Sequence, residues 1–264
     1  MTLAKRPLGS TGMSPSILGL GTVKLGRDQG VKYPTSFRIP DDREAANLLA
    51  LSADLGINLL DTAPAYGTSE ERLGKLLAGQ RERWLICTKV GEEFIAGQSR
   101  FDFSPEHTRM SIDRSLRRLC TDRLDIVLVH SDGNDLDIIQ HTGVIETLAE
   151  LKAEGKIRAY GVSTKTVEGG VLAAEKADCV MVTWNLEYND DIPVIDRCQQ
   201  LGKGVLIKKA LASGHIAAEG EDPVARSFAT IFEHPGVTTA VIGTINLEHL
   251  RSNVKIANCV TERR

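Results

Sequence analysis

The fold class the sequence predicts is α/β: a TIM (β/α)8 barrel preceded by a short N-terminal β-hairpin. Three observations carry this expectation. Eight short apolar runs recur along the 264 residues. Segments with helical spacing lie between them. Gly56, Gly155 and Gly202 stand where a helix gives way to a strand, and glycine tolerates the left-handed backbone found just beyond helix ends. Eight such units suffice to close a barrel.

The runs occupy 17–20, 57–60, 84–88, 126–129, 157–161, 179–183, 205–207 and 239–242. Several are apolar without interruption, as expected of strands covered on both faces. Residues 6–14, with Leu8-Gly9 and Thr11-Gly12, read as a hairpin that plugs the N-terminal end of the barrel. A helix over 42–55 aligns Ala45, Leu48, Leu49, Ser52 and Leu55. A helix over 104–119 opens Ser104-Pro105-Glu106, a cap followed by proline at the first helical position. Its buried stripe is Ile112, Leu116 and Leu119. Helices follow over 144–153 and 247–259, the last offering Leu247, Leu250, Val254 and Ala257. The polar segments 24–41 and 91–102 read as long loops on the C-terminal face, where barrel active sites form. No linker divides the chain, so residues 1–264 read as one barrel domain.

Composition narrows the function. Charged residues make up 25% and the formal net charge is −3, which gives no basic face for nucleic acid. No apolar run is long enough for a membrane helix, and the first residues lack a secretory signal. Cysteines at 87, 120, 179, 198 and 259 form no close pairs, so neither a zinc cluster nor a disulfide framework is expected. The expected setting is cytoplasmic.

Polar residues fall at the ends of the apolar runs. Asp61, Lys89, His130, Ser163 and Lys208 each close one, and Asn185 follows another. In a barrel these groups converge on one mouth. Tyr66 lies five residues beyond Asp61 in a short loop bounded by Pro64 and Gly67. A phenol beside a lysine ammonium has its phenolate favoured. An aspartate would hold that ammonium charged, and a histidine would orient a carbonyl. Such a set suits proton delivery to a carbonyl oxygen while hydride arrives at carbon.

The stretch Gly56-Ile57-Asn58-Leu59-Leu60-Asp61-Thr62-Ala63-Pro64-Ala65-Tyr66-Gly67 resembles a signature of the aldo-keto reductase family. Ser115 to Leu119, then Asp122 to His130, resemble a second, and Gly155 to Ser163 a third. The resemblance implies a catalytic set of Asp61, Tyr66, Lys89 and His130, with Tyr66 as general acid. It implies NADP as cofactor, with NAD as the second choice, bound by Ser163, Asn185, Lys208, Gly243, Thr244, His249 and Asn253. The partner is then a small-molecule carbonyl substrate, and the chain a monomer or weak homo-oligomer with neither nucleic acid nor membrane as partner.

Four departures from the family pattern stand out. Asn185 replaces the usual glutamine. Lys208 replaces an aromatic that stacks on the nicotinamide, leaving two roles open: its stem covers the ring, or its ammonium meets the pyrophosphate. Gly243 and His249 replace a lysine and an arginine that clamp the 2′-phosphate of NADP, which lowers discrimination in its favour. The long C-terminal substrate loop of many members has no counterpart. Substrate contacts are therefore expected from 23–40, 91–103, 130–143 and 208–222, around an open mouth. Two other readings compete with the reductase. One is a nicotinamide-binding regulatory subunit resembling channel-associated β subunits. The other is a Schiff-base aldolase with Lys89 as nucleophile.

Overall fold

The computed structural model describes residues 3–214 and 222–262. Within the substrate loop expected over 208–222, residues 215–221 lie outside the described residues. The described residues form ten strands: β1 (Leu18–Gly21), β2 (Leu59–Asp61), β3 (Leu85–Val90), β4 (Glu92–Ile95), β5 (Gln98–Phe101), β6 (Leu124–His130), β7 (Ile157–Ser163), β8 (Cys179–Thr183), β9 (Gly204–Lys208) and β10 (Thr239–Ile242). Eight of them, all but β4 and β5, close a parallel barrel in the order β1-β2-β3-β6-β7-β8-β9-β10. β10 returns to β1, with Leu18 opposite Ala240. Each of the eight apolar runs contributes one barrel strand.

The described helices are α1 (Asp42–Asp54), α2 (Ser69–Leu76), α3 (Pro105–Arg118), α4 (Asp135–His141), α5 (Val144–Ala153), α6 (Val167–Lys176), α7 (Ile192–Gln200), α8 (Pro223–Glu233) and α9 (Leu247–Glu262). Asp41 and Glu44 form a reciprocal capping box at the start of α1, an arrangement that satisfies two otherwise orphaned backbone donors. Ser104 caps α3 by accepting from the His107 amide, with Pro105 at the first position. On α3, Ile112 and Leu119 are buried, while Leu116 is half-buried against the same core. On α9, Leu250, Val254 and Ala257 are buried and Leu247 is exposed. The helix also runs past residue 259 to Glu262.

Side chains fill the barrel. Leu59, Cys87, Ile126, Leu128, Cys179, Met181 and Leu206 form an inner cluster that Leu8 and Met13 join from the N-terminal hairpin. The hairpin is held by Arg6 N–H to Pro15 O at 3.0 Å and Leu8 N–H to Met13 O at 2.8 Å. Gly9 has a φ of +54°, and a β-carbon there would stand 2.7 Å from Gly202 O. Only glycine lets this turn seat so closely on the barrel floor.

The segment 91–102 departs from the expected loop. β4 and β5 pair antiparallel there, from Glu92 opposite Phe101 to Ile95 opposite Gln98. Ala96 and Gly97 make the turn, with φ values of 51° and 82°. Two successive left-handed residues match the twist of paired strands, the geometry of a tight hairpin. The segment 24–41 remains irregular after a single 3-10 turn at Val23–Leu25. Among the described residues, no helix is long and apolar enough to cross a membrane. No cluster of metal-binding side chains occurs among them either. All five cysteines are free.

Candidate active site

Asp61, His130, Ser163 and Lys208 are the last residues of β2, β6, β7 and β9, and Lys89 is the penultimate residue of β3. The parallel strands therefore deliver all five to the C-terminal mouth. Lys89 Nζ donates to Asp61 Oδ1 at 2.7 Å and to the Thr62 carbonyl at 2.9 Å. Both side chains are buried. Burial weakens the ammonium's hold on its proton, but the Asp61 carboxylate, with smaller contributions from its other neighbours, more than offsets this and holds Lys89 above the usual lysine range. A protonated lysine is no nucleophile, which weighs against Schiff-base chemistry.

Tyr66 is placed by backbone packing rather than by a strand. A β-carbon on Gly26 would lie 2.3 Å from Tyr66 O, and one on Gly67 would lie 2.1 Å from Gly26 O. The two loops thus touch main chain to main chain. Arg27 adds a guanidinium hydrogen bond to Ala65 O at 3.0 Å. The ring that results has Lys89 Nζ 5.0 Å from its centroid. The His130 ring stands edge-on to it, 6.4 Å away at 86°.

The electrostatics of Tyr66 set burial against charge. Burial pushes the phenol above its ordinary range; Lys89 pulls it down, and Asp61 pushes it up again. The lysine lowers the penalty without making phenolate the resting form. At neutral pH the phenol therefore holds its proton, the state an acid requires.

Behind His130 stands Glu92, from the 91–103 segment expected to contact substrate. Glu92 Oε2 lies 2.6 Å from His130 Nδ1, a close contact outside straight hydrogen-bond alignment. Burial lowers the histidine's affinity for a proton, and Glu92 opposes this. On the carboxylate, burial acts upward, yet His130, the Ser99 hydroxyl and Arg27 together hold it down to about 2. The β4–β5 hairpin, which carries little apolar signal in the sequence, is what sets Glu92 there. Tyr33, from the loop after β1, is a second addition. Burial and then Asp61 push its phenol up to about 12, and its hydroxyl would stand 3.2 Å from a β-carbon on Gly243.

The remaining expected residues divide. Ser163 pairs with His130 across β6 and β7. Lys208 Nζ donates to Ser163 Oγ at 2.9 Å and to Thr164 O at 2.7 Å. Its ammonium therefore rests on the residue paired with His130. Asn185 is engaged by its own loop: Nδ2 donates to Lys209 O at 3.0 Å, and Oδ1 accepts from the Glu187 and Tyr188 amides. Gly243 follows β10, and Thr244 and Asn253 are buried. His249 lies exposed in the first turn of α9, where its amide donates to Asn246 Oδ1 at 3.2 Å.

A nicotinamide suits this mouth on the chain's own features. Thr164 Oγ1 is buried without a hydrogen-bond partner beside Ser163, and the Tyr33 hydroxyl stands over Gly243 at the end of β10. Ser163, Thr164 and Lys208 supply polar groups of the kind that hold a carboxamide.

Comparison with known proteins agrees with this geometry. The sequence pattern of the aldo/keto reductase family matches residues 17–228. L-galactose dehydrogenase of Arabidopsis thaliana is 31% identical over 81% of this chain and 67% of its own length. The oxidoreductase YqkF of Bacillus subtilis, itself uncharacterized, is 27% identical over 97% of this chain and 92% of its own. A crystallised protein of Pseudomonas aeruginosa, described as an aldo-keto reductase, is 58% identical, with a TM-score of 0.90 over 97% of this chain and 95% of that one. With the family pattern spanning seven of the eight barrel strands and every residue of the buried Asp61–Lys89 pair, Tyr66 and His130, this chain belongs to the aldo/keto reductase family.

Proposed function

We propose that the protein is a nicotinamide-dependent carbonyl reductase in which Tyr66 is the general acid. When bound, the reduced nicotinamide supplies a hydride to the carbonyl carbon of an aldehyde or ketone. Ser163, Thr164 and Lys208 would hold its carboxamide end, and Gly243, Thr244, His249 and Asn253 its phosphate end. Tyr66 gives its proton to the carbonyl oxygen as charge develops there. Lys89, kept charged by Asp61, stabilises the phenolate left behind. His130 borders the same space and orients the carbonyl. The observation that carries the reading is the buried Lys89–Asp61 pair beneath a phenol that retains its proton.

NADP is the proposed cofactor, with NAD accepted as well because neither Gly243 nor His249 supplies a permanent charge for the 2′-phosphate. The substrate is a small carbonyl compound. The protein would act in the cytosol, as a monomer or weak homo-oligomer, in keeping with its free cysteines. The test is to follow loss of reduced-nicotinamide absorbance with NADPH and NADH against small aldehydes, aromatic aldehydes and dicarbonyls. Turnover with at least one is expected. No turnover across the panel with either cofactor would overturn the reading.

A further inference from the structure

The mouth holds two cationic side chains in different circumstances, Lys89 buried and Lys208 half-buried. Lys89 is neutralised by Asp61 at 2.7 Å. Lys208 rests on two uncharged oxygens, Ser163 Oγ and the Thr164 carbonyl. The charged groups around it are Lys209 beside it, Lys165 beyond β7, Asp191 before α7 and Asp135 on α4, and it in turn acts on His130 across Ser163. These partners include both signs, and neither carboxylate contacts the ammonium as Asp61 contacts Lys89.

Hydride transfer requires the donor ring in van der Waals contact with the carbonyl carbon. The oxygen of that carbonyl takes its proton from Tyr66, whose ring faces His130. His130 is paired with Ser163, and Ser163 carries the Lys208 ammonium. The Lys208 charge therefore acts on the side of the mouth where a ring placed for transfer would lie. The reduced ring is neutral and the oxidised ring is a pyridinium cation. In a half-buried site a fixed ammonium disfavours such a cation.

We propose that Lys208 makes the site discriminate between the two redox states of the nicotinamide by charge: its ammonium, fixed on Ser163, disfavours the oxidised ring and leaves the reduced ring unpenalised. The assignment rests on the nicotinamide reading above. By linkage, weaker binding of the oxidised form raises the reduction potential of the bound couple and favours release of the spent cofactor. Lys208 is in this sense a specificity-determining residue. Burial pushes its ammonium down to about 7, so the discrimination fades as the pH rises past neutrality.

The experiment is fluorescence titration of NADPH and NADP+ on the wild type, Lys208→Met and Lys208→Arg, at about pH 6 and about pH 8.5. The ratio of oxidised to reduced dissociation constants is the readout. Both cofactors carry the same phosphates, so phosphate titration cancels in that ratio. At the lower pH the ratio is expected to be about tenfold greater in the wild type and Lys208→Arg than in Lys208→Met. At the higher pH the wild-type ratio should fall towards that of Lys208→Met, while Lys208→Arg keeps its own. The wild-type and arginine arms alone decide the matter should Lys208→Met fold poorly. A ratio that is the same in all three proteins and at both pH values overturns the proposal, including the case where Lys208→Met weakens both forms equally. Failure of the wild type to bind either nucleotide would instead overturn the nicotinamide reading.

Discussion

Glu92 Oε2 lies 2.6 Å from Nδ1 of His130, so the β4–β5 hairpin sets a carboxylate directly behind the histidine at the mouth. A carboxylate there favours a proton on Nδ1 and leaves Nε2 of the neutral ring as an acceptor. Glu92→Gln should lower the carbonyl reduction rate about tenfold, the worth of one charge-assisted contact. It should also shift the nitrogen NMR resonances of His130. A change in rate with unaltered His130 resonances would assign the loss to the hairpin instead.

The same carboxylate predicts an acid-stability effect. Its native affinity for a proton is depressed, to about 2 from an ordinary 4.5. A depressed carboxylate contributes stability above its unfolded value and loses it as the pH falls through the folded one. Wild-type stability should therefore fall more steeply than that of Glu92→Gln between about pH 4.5 and 2. Urea titrations at several pH values measure it; parallel curves would refute the coupling.

Tyr66→Phe should bind nucleotide as the wild type does and lose carbonyl reduction by about a hundredfold or more. The loop packing between the Tyr66 and Gly26 main chains is retained, and only the hydroxyl is lost. Because burial raises the phenol above its ordinary range, wild-type reduction should persist into alkaline solution. Steady-state rates with parallel nucleotide titration test both statements, and a near-normal rate in the variant would remove Tyr66 from its role.

Lys89→Met should destabilise the fold by about 3–5 kcal/mol, because it leaves Asp61 ionised and buried without its partner. Adding Asp61→Asn to that variant should restore much of the stability while activity stays lost. Denaturant unfolding of the two single variants and the double variant gives the coupling. Additive effects would show that the pair is not an energetic unit.

Leu8→Ala should cost about 2–5 kcal/mol, the usual range for emptying a well-packed core site. Leu8 is fully buried in the barrel interior although it belongs to the N-terminal hairpin. Catalytic constants in the surviving folded protein should be unchanged, since the plug lies at the end opposite the mouth. Thermal unfolding measures the loss, and a cost below about 0.5 kcal/mol would mean that the hairpin only covers the barrel.

His249→Arg should tighten NADPH relative to NADH, by about tenfold where the guanidinium meets the 2′-phosphate bidentately. His249→Ala should bring the two cofactors closer together. Dissociation constants for both nucleotides provide the check, and an unchanged ratio in both variants would remove His249 from the binding site.

The barrel was legible in the chain because burial on both faces forces strands into continuous apolar runs, and a polar residue that ends such a run must stand at a mouth. Asp61, Lys89, His130, Ser163 and Lys208 follow from that rule alone. The plug at Leu8 and the caps at Asp41 and Ser104 are equally local, since each depends on neighbours a few residues away. Other features depend on contacts between distant segments. β4 and β5 are short and largely exposed, so they carry little apolar signal, and Glu92 meets His130 only because β6 pairs directly with β3. The resting state of Tyr66 turns on a balance between burial and Lys89, and spacing along a chain holds no measure of burial. Lys208 could be placed on the mouth from sequence, but its acceptor could not. That needed β7 and β9 flanking β8 in the closed ring, which brings Ser163 within 2.9 Å of its ammonium.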